Sequence, residues 1–507
     1  FKYTQFDARA GWTSYDNHGG TGTVLVRSPA NPNGILYLRD AEKKYDQYGN
    51  RVKALSGRFT DIPKDQEWVL DGIVFGHNAV LRIPSGTSLS LPNGLDSVSS
   101  DAVDINCGII VDGGSLFLPS RDQVMSGKWT LTSRNDINVV RIPGGLTMRS
   151  GANIGSIAFY QSIIDEGDSL PLYGKCQLRI DGYLTVEDGA TLTARKCGLK
   201  KYGNSLNSGH KGVLQGHTHG GRVFGYKSKD AQLRMYTAYD SVFAPSLPGN
   251  AVPWPNGQSA EESGGVITLD IAGHFRMDGK ADVSGYLDIY ADGNNCSGGT
   301  GGSIDITAGS IAGRGSIKAE GGVKQAICGP GGRIAIKLTE EGADFSAFKG
   351  VISASGRVRG TDYANASSAG TVFLKTGDDR ENGGTIRIAM SSGNWNINNP
   401  SSTELLSLGF GGNTAEEYKE LGFEITDFGF GAVNADLKMS WAKFIGRNSR
   451  LDLEGHVLTV YRAWINGSKV PIGTYLAGEE PFADMLVDSV GGGSVRITGY
   501  GLWVFIQ

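Results

Sequence analysis

Several things are scarce in this chain, and each scarcity closes a class of protein. The charges nearly cancel, with 48 Lys and Arg against 52 Asp and Glu and a net charge of −4. No basic run stands out, so the electrostatic footprint of a nucleic-acid-binding protein is missing. No apolar stretch is long enough to cross a bilayer. Histidine occurs seven times and cysteine five times in 507 residues. Proline is ordinary at 16 and the apolar share is 39%, which excludes a low-complexity disordered chain. Asn-Gly turn signals between paired strands are few, which argues against a chain of hairpins.

What the chain has is glycine, 76 residues without a collagen period. Much of it marks a short pattern carried four times: GGVITLDI (Gly264–Ile271), GGSIDIT (Gly301–Thr307), GGRIAIKL (Gly331–Leu338) and AGTVFLK (Ala369–Lys375). Each copy has two small residues, a variable residue and an alternating apolar strand. The starts are 37, 30 and 38 residues apart, the spacing of a stacked structural unit. Alignment puts Ile267, Ile304, Ile334 and Val372 in one inward column, and Leu269, Ile306, Ile336 and Leu374 in the next. The alternate positions, Thr268, Asp305, Ala335 and Phe373, then Asp270, Thr307, Lys337 and Lys375, are mixed and read as a solvated face. The paired glycines are assigned to tight corners, where positive φ and close backbone approach are needed.

One strand of this kind cannot bury its face alone, but stacked equivalents make a continuous core. The expected fold is therefore all-β, a right-handed parallel β-helix (solenoid) with a long irregular loop excursion at 201–263, where Pro245, Pro248, Pro253 and Pro255 interrupt any central strand. The expected organisation is an N-terminal segment 1–53, the end of a preceding module; the Gly-rich β-helix over 54–390; and a C-terminal β-rich continuation or second β-helix over 391–507, with one helical turn at Ala415–Leu421. A longer period overlies the short one. Gly22–Arg27 matches Gly370–Lys375, 348 residues later, and each is followed by a turn and a second strand. With Phe1 as its first residue, the chain reads as a mature or excised piece.

Chemistry is harder to find. His210, His217 and His219 are a candidate metal trio, since His217 and His219 share one face of a strand. Asp-rich turns at Glu187–Ala190, Ala291–Asn295 and Thr361–Ser367 are candidates for Ca2+. Tyr226, Tyr236, Tyr239 and Trp254 lie in or near the Pro-rich excursion and form a candidate glycan-stacking set. Cys296 and Cys328 stand just before the Gly-Gly corner of successive repeats, and Cys176 and Cys197 bracket about one coil of short strands; both pairs are disulfide candidates, leaving Cys107 over. Asn295, Asn365 and Asn466 fit the N-glycosylation pattern. No acid aligns beside an acid in the repeat columns, as a carboxylate-pair glycosidase requires.

The series GGVITLDIAGHFRMDGKADVSG, GGTGGSIDITAGSIAGRGSIKAEGG, GPGGRIAIKL and SSAGTVFLKT resembles the Gly-rich β-helix repeat regions of large secreted bacterial surface proteins, the autotransporter-passenger-like group. The preceding YDSVFAPSLPGN fits that arrangement, and GHVLTVYRAWINGSKVPIGTYLAGE resembles the ending of such passengers. The resemblance implies a parallel β-helix, an extracellular or cell-surface setting and no particular catalytic residue. The functional expectation is a structural or adhesive surface protein, a subunit assembling end to end. Its partners are itself, a neighbouring surface protein or a polysaccharide, and Phe1, Tyr3, Phe6, Trp503 and Phe505 are assembly candidates. The alternative is a polysaccharide-active hydrolase or lyase with the excursion as a groove wall.

Overall fold

A computed structural model describes residues 22–39, 60–76, 79–101, 107–133, 139–155, 174–195, 197–198, 219–221, 238–250, 263–285, 299–322, 328–357, 367–390, 402–406, 411–446 and 448–499. The described chain is all-β and contains no α-helix. Its strands form sheets of 16, nine, four, four and three strands, and nearly all pairings are parallel.

The nine-stranded sheet runs in strict chain order, from Thr60–Asp61 through Val80–Pro84, Gly108–Asp112, Thr130–Ser133, Asn153–Gly155, Thr191–Thr193, Lys280–Asp282 and Ser316–Lys318 to Val351–Ser353. Between these strands the chain repeatedly lays another strand into the 16-stranded sheet: Lys175–Ile180, then Val266–Met277, Ser303–Ala312, Arg333–Leu338 and Thr371–Lys375. The sequence columns are the physical register. Cys176, Ile267, Ile304, Ile334 and Val372 pair in series, and so do Leu178, Leu269, Ile306, Ile336 and Leu374. Opposite them stand Leu81, Ile109, Leu131, Ile154, Leu192, Ala281 and Ile317. Both sets are buried in one continuous core. Each such aliphatic side chain contributes about 1.5–3 kcal/mol by leaving water.

The paired glycines are explained by close approach alone, because their φ angles are not positive. A Cβ on Gly302 would lie 2.0 Å from the Gly265 carbonyl oxygen, one on Gly332 2.0 Å from that of Gly302, and one on Gly370 1.8 Å from that of Gly332. Only glycine lets the corners stack at this separation.

The expectation that the alternate face is solvated holds only in part. Ala335 and Phe373 are buried, in a second hydrophobic core distinct from the first. After Thr371–Lys375 the chain turns back, and Gly384–Met390 pairs with it antiparallel, with Phe373 opposite Ile386. Parallel stacking then resumes through Leu421–Asp427, Leu437–Ile445, Val457–Ile465 and Ser494–Ile497. Ile386, Phe423, Ala442 and Ala463 form the new inward column. A four-stranded sheet, Thr403–Glu404, Phe430–Ala432, Arg450–Asp452 and Leu486–Val487, lines this second core. The two cores thus meet on the strand Thr371–Lys375, which contributes to both. The helical turn expected near Ala415 is a 3-10 turn, Ala415–Tyr418, whose Thr414 and Glu417 form a capping box.

The N-terminal strands repeat this junction. Gly22–Ser28 pairs antiparallel with Asn31–Arg39, which then pairs parallel with Gly72–Phe75. The hairpin joins the first core through Leu36 and Leu38.

Candidate functional site

The most concentrated polar chemistry among the described residues is buried where the 238–250 segment crosses the repeat strands. It is built from the variable position of the repeat. Ser303, Arg333 and Thr371 occupy one register column, and all three are inaccessible to solvent. A buried charge is tolerated only when it is hydrogen-bonded, and Arg333 has a partner at each guanidinium nitrogen. Its Nε donates to the Tyr239 carbonyl at 3.0 Å, Nη1 to Thr371 Oγ1 at 2.8 Å and Nη2 to the His219 carbonyl at 3.4 Å. Burial pulls its pKa down, while Asp240, Tyr418 and Glu404 push it back up.

Asp240 sits at φ 69°, a left-handed conformation that Asp tolerates better than most residues. Its carboxylate accepts the amides of Ser241, Ser246 and Leu247 and so closes the loop. Burial pushes this carboxyl up, but the hydrogen bond and interaction with His219, and the amides of Leu247 and Ser246, outweigh it and hold the pKa below the ordinary value.

His219 is fully buried beneath the same loop. Its Nδ1 donates to the Gly301 carbonyl at 2.8 Å, and its Nε2 lies 3.3 Å from Asp240 Oδ2 and 3.2 Å from Ser303 Oγ. These three residue types suggest a nucleophile relay, but the geometry is different. In a relay the acid holds the nitrogen remote from the serine; here acid and serine crowd the same nitrogen. Ser303 Oγ is also within 2.6 Å of the Leu247 carbonyl and 3.0 Å of Asp240 Oδ2, and no surface reaches it. The cluster is a fastener for the excursion.

The same segment is tied to the second core. Glu404 accepts the Ala238 amide, and Asn413 accepts the Val242 amide at 2.7 Å. Phe243 packs on Phe373 and Tyr418, with ring centroids 5.1 and 5.4 Å away. Lys337 donates to the Phe243 carbonyl and pairs with Asp305 at 2.6 Å. Burial raises the Asp305 carboxyl against the opposing pull of Lys337.

Several candidate residues of the sequence take other places in the fold. His219 has both nitrogens engaged by protein atoms, and His210 and His217 lie outside the described residues. Among the described residues no cluster of His, Cys, Asp or Glu is arranged to hold a metal ion; of the three Asp-rich turns, only Glu187–Ala190 is fully described. Tyr239 is a buried residue rather than a stacking platform. Its hydroxyl donates to the Pro248 carbonyl at 2.6 Å, and its ring lies 4.8 Å from that of His219. Tyr226, Tyr236 and Trp254 lie outside the described residues. Cys176 carries a free thiol, so the Cys176–Cys197 bridge is not made; burial pushes Cys176 up to about 12, and the Cys197 thiol donates to the Arg195 carbonyl. Cys328 is buried and its candidate partner Cys296 lies outside the described residues. So do Phe1, Tyr3, Phe6, Trp503 and Phe505.

Ser303, Arg333 and Thr371 stand in a column whose residue types vary from copy to copy, so apolar alternation alone does not mark them. The available signal was an arginine directly between a Gly-Gly corner and an apolar strand, a place where a charge must have partners. Comparison with protein-family models, characterised proteins and solved structures gives no match.

Proposed function

We propose that this chain is an extracellular structural or adhesive surface protein, built as a right-handed parallel β-helix in two successive units and associating end to end with further copies of itself. The β-helix reading is supported by the strictly sequential strand order of the nine-stranded sheet and its alternation with strands of the larger sheet.

One observation carries the assembly reading. The hairpin at residues 22–39 has the same pairing pattern as the internal junction at 371–390, with Leu25 opposite Leu36 where Phe373 stands opposite Ile386. At the internal junction the flanking Val372 and Leu374 are buried in the core of the preceding unit. Their counterparts Val24 and Val26 are only half-buried, and Leu25 is exposed. Among the described residues, no further strand stacks on the outer side of this hairpin. Among the described residues at the opposite end, Ile472 and Leu476 present apolar surface flanking the outer strand Gly473–Tyr475, and Val490 is exposed beside Gly455. Strand addition or face packing between such ends satisfies both.

Sedimentation over a concentration range tests this. Concentration-dependent association is expected, weakened by Val24→Asp or Ile472→Asp. A chain that stays monomeric at every concentration, or associates equally well with both substitutions, would overturn it. A glycan screen separates the reading from a hydrolase or lyase: reducing ends or unsaturated products would replace the scaffold with an enzyme.

A further inference from the structure

The outer face of the second unit carries a surface of a different kind. Trp441 and Trp464 project from neighbouring strands at half-buried positions, with centroids 6.4 Å apart and planes at 78°. Trp441 lies flat on the sheet because the position beneath it is Gly422, where a Cβ would fall 1.9 Å from the indole. Lys443 pairs directly with Trp464 in the register, and its Nζ stands 4.6 Å from the Trp441 ring centre and 5.8 Å from that of Trp464. One step along, Lys438 stands 5.6 Å over the Tyr461 ring. The carboxylate nearest in register, Glu424, is taken by Arg387 at 3.1 Å. Neither lysine has a carboxylate within ion-pair distance among the described residues.

We infer that this face is a binding site for an anionic polysaccharide, one carrying carboxylate or sulfate groups on pyranose rings. Indole and phenol faces pack on the C–H surfaces of a sugar ring. The ammonium groups already above those faces then need an anion on the same ligand, since a neutral sugar would have to displace them from the rings without replacing the charge interaction. A nucleic acid fits less well. The perpendicular indoles leave no parallel slot for a base, and the chain as a whole is net acidic. The site is independent of the end-to-end reading, because it lies on the face of the sheet and not at either end.

Affinity electrophoresis of the full chain in gels holding polygalacturonate, dextran sulfate, neutral dextran or a DNA duplex tests it. Retardation by the two anionic polysaccharides and not by dextran is expected, diminishing with salt. Trp464→Ala and Lys443→Gln should each weaken binding by about tenfold, the size of one aromatic or cation contact. Trp464→Tyr, which keeps a stacking face, should retain most of it, and circular dichroism reports whether each variant is folded. The inference is overturned by no retardation in either anionic polysaccharide, by undiminished retardation of folded Lys443→Gln, or by tighter retention in the DNA gel.

Discussion

Phe373 stands opposite Ile386 across an antiparallel junction, while its own neighbours Val372 and Leu374 point into a different core. One strand therefore serves two interiors. Phe373→Ala should cost about 3–5 kcal/mol and fall on the second unit. Calorimetry should show a second, lower transition splitting away, whereas Leu374→Ala should lower the transition of the first unit. A single transition shifted equally by both substitutions would contradict this division.

Arg333 donates three directional hydrogen bonds in a solvent-free site. Arg333→Lys keeps the charge but not the fork, so it should not rescue. Both Arg333→Lys and Arg333→Ala should destabilise by about 3–5 kcal/mol, the range for breaking a buried charged contact. Urea unfolding measures it, and a lysine variant of native stability would show that charge alone suffices there.

Asp240 has a pKa held below its ordinary value in the folded chain. Folding thus favours its charged form. The stabilisation is complete above the unfolded value of about 3.9 and is lost as the pH falls through the lower folded value. Melting temperature should drop more steeply below about pH 4 in the wild type than in Asp240→Asn. The difference between the two curves is the readout, because Asp71 and Asp488 are also held low and titrate in the same window. Parallel curves would show that the carboxylate is not linked to stability.

Gly332→Ala would put a methyl 2.0 Å from the Gly302 carbonyl, so the stack must open. Loss of about 1–3 kcal/mol is expected. Gly342→Ala offers a contrast: it meets no atom within 4 Å, so its cost should come only from its φ of +73°. Thermal melts of the two variants distinguish crowding from backbone strain.

Much of the first unit was legible in the sequence because apolar alternation, repeated four times, leaves only one way to align the columns. Ile267, Ile304, Ile334 and Val372 pair as read. The 348-residue match was legible too, and both copies begin an antiparallel hairpin. What local pattern could not reveal was which surface covers the alternate face. Phe373 looks like a solvent-facing position until Phe243, from far earlier in the chain, packs edge-on against it and in turn against Tyr418, and Ala335 is buried in the same core. The polar fastener is hidden from local pattern for the same reason: His219, Asp240, Ser303 and Arg333 come together only through the stacking. The aromatic face at Trp441 and Trp464 rests on adjacent strands of the less regular unit, where spacings vary and no repeat announces the register.

The shared strand Thr371–Lys375 has a consequence for fidelity. In an ordinary strand a one-residue slip exposes one apolar set and is penalised once. Here the same slip would move Val372 and Leu374 out of one interior and Phe373 out of the other. The junction therefore proofreads alignment for both units, and an error made in either is felt in both.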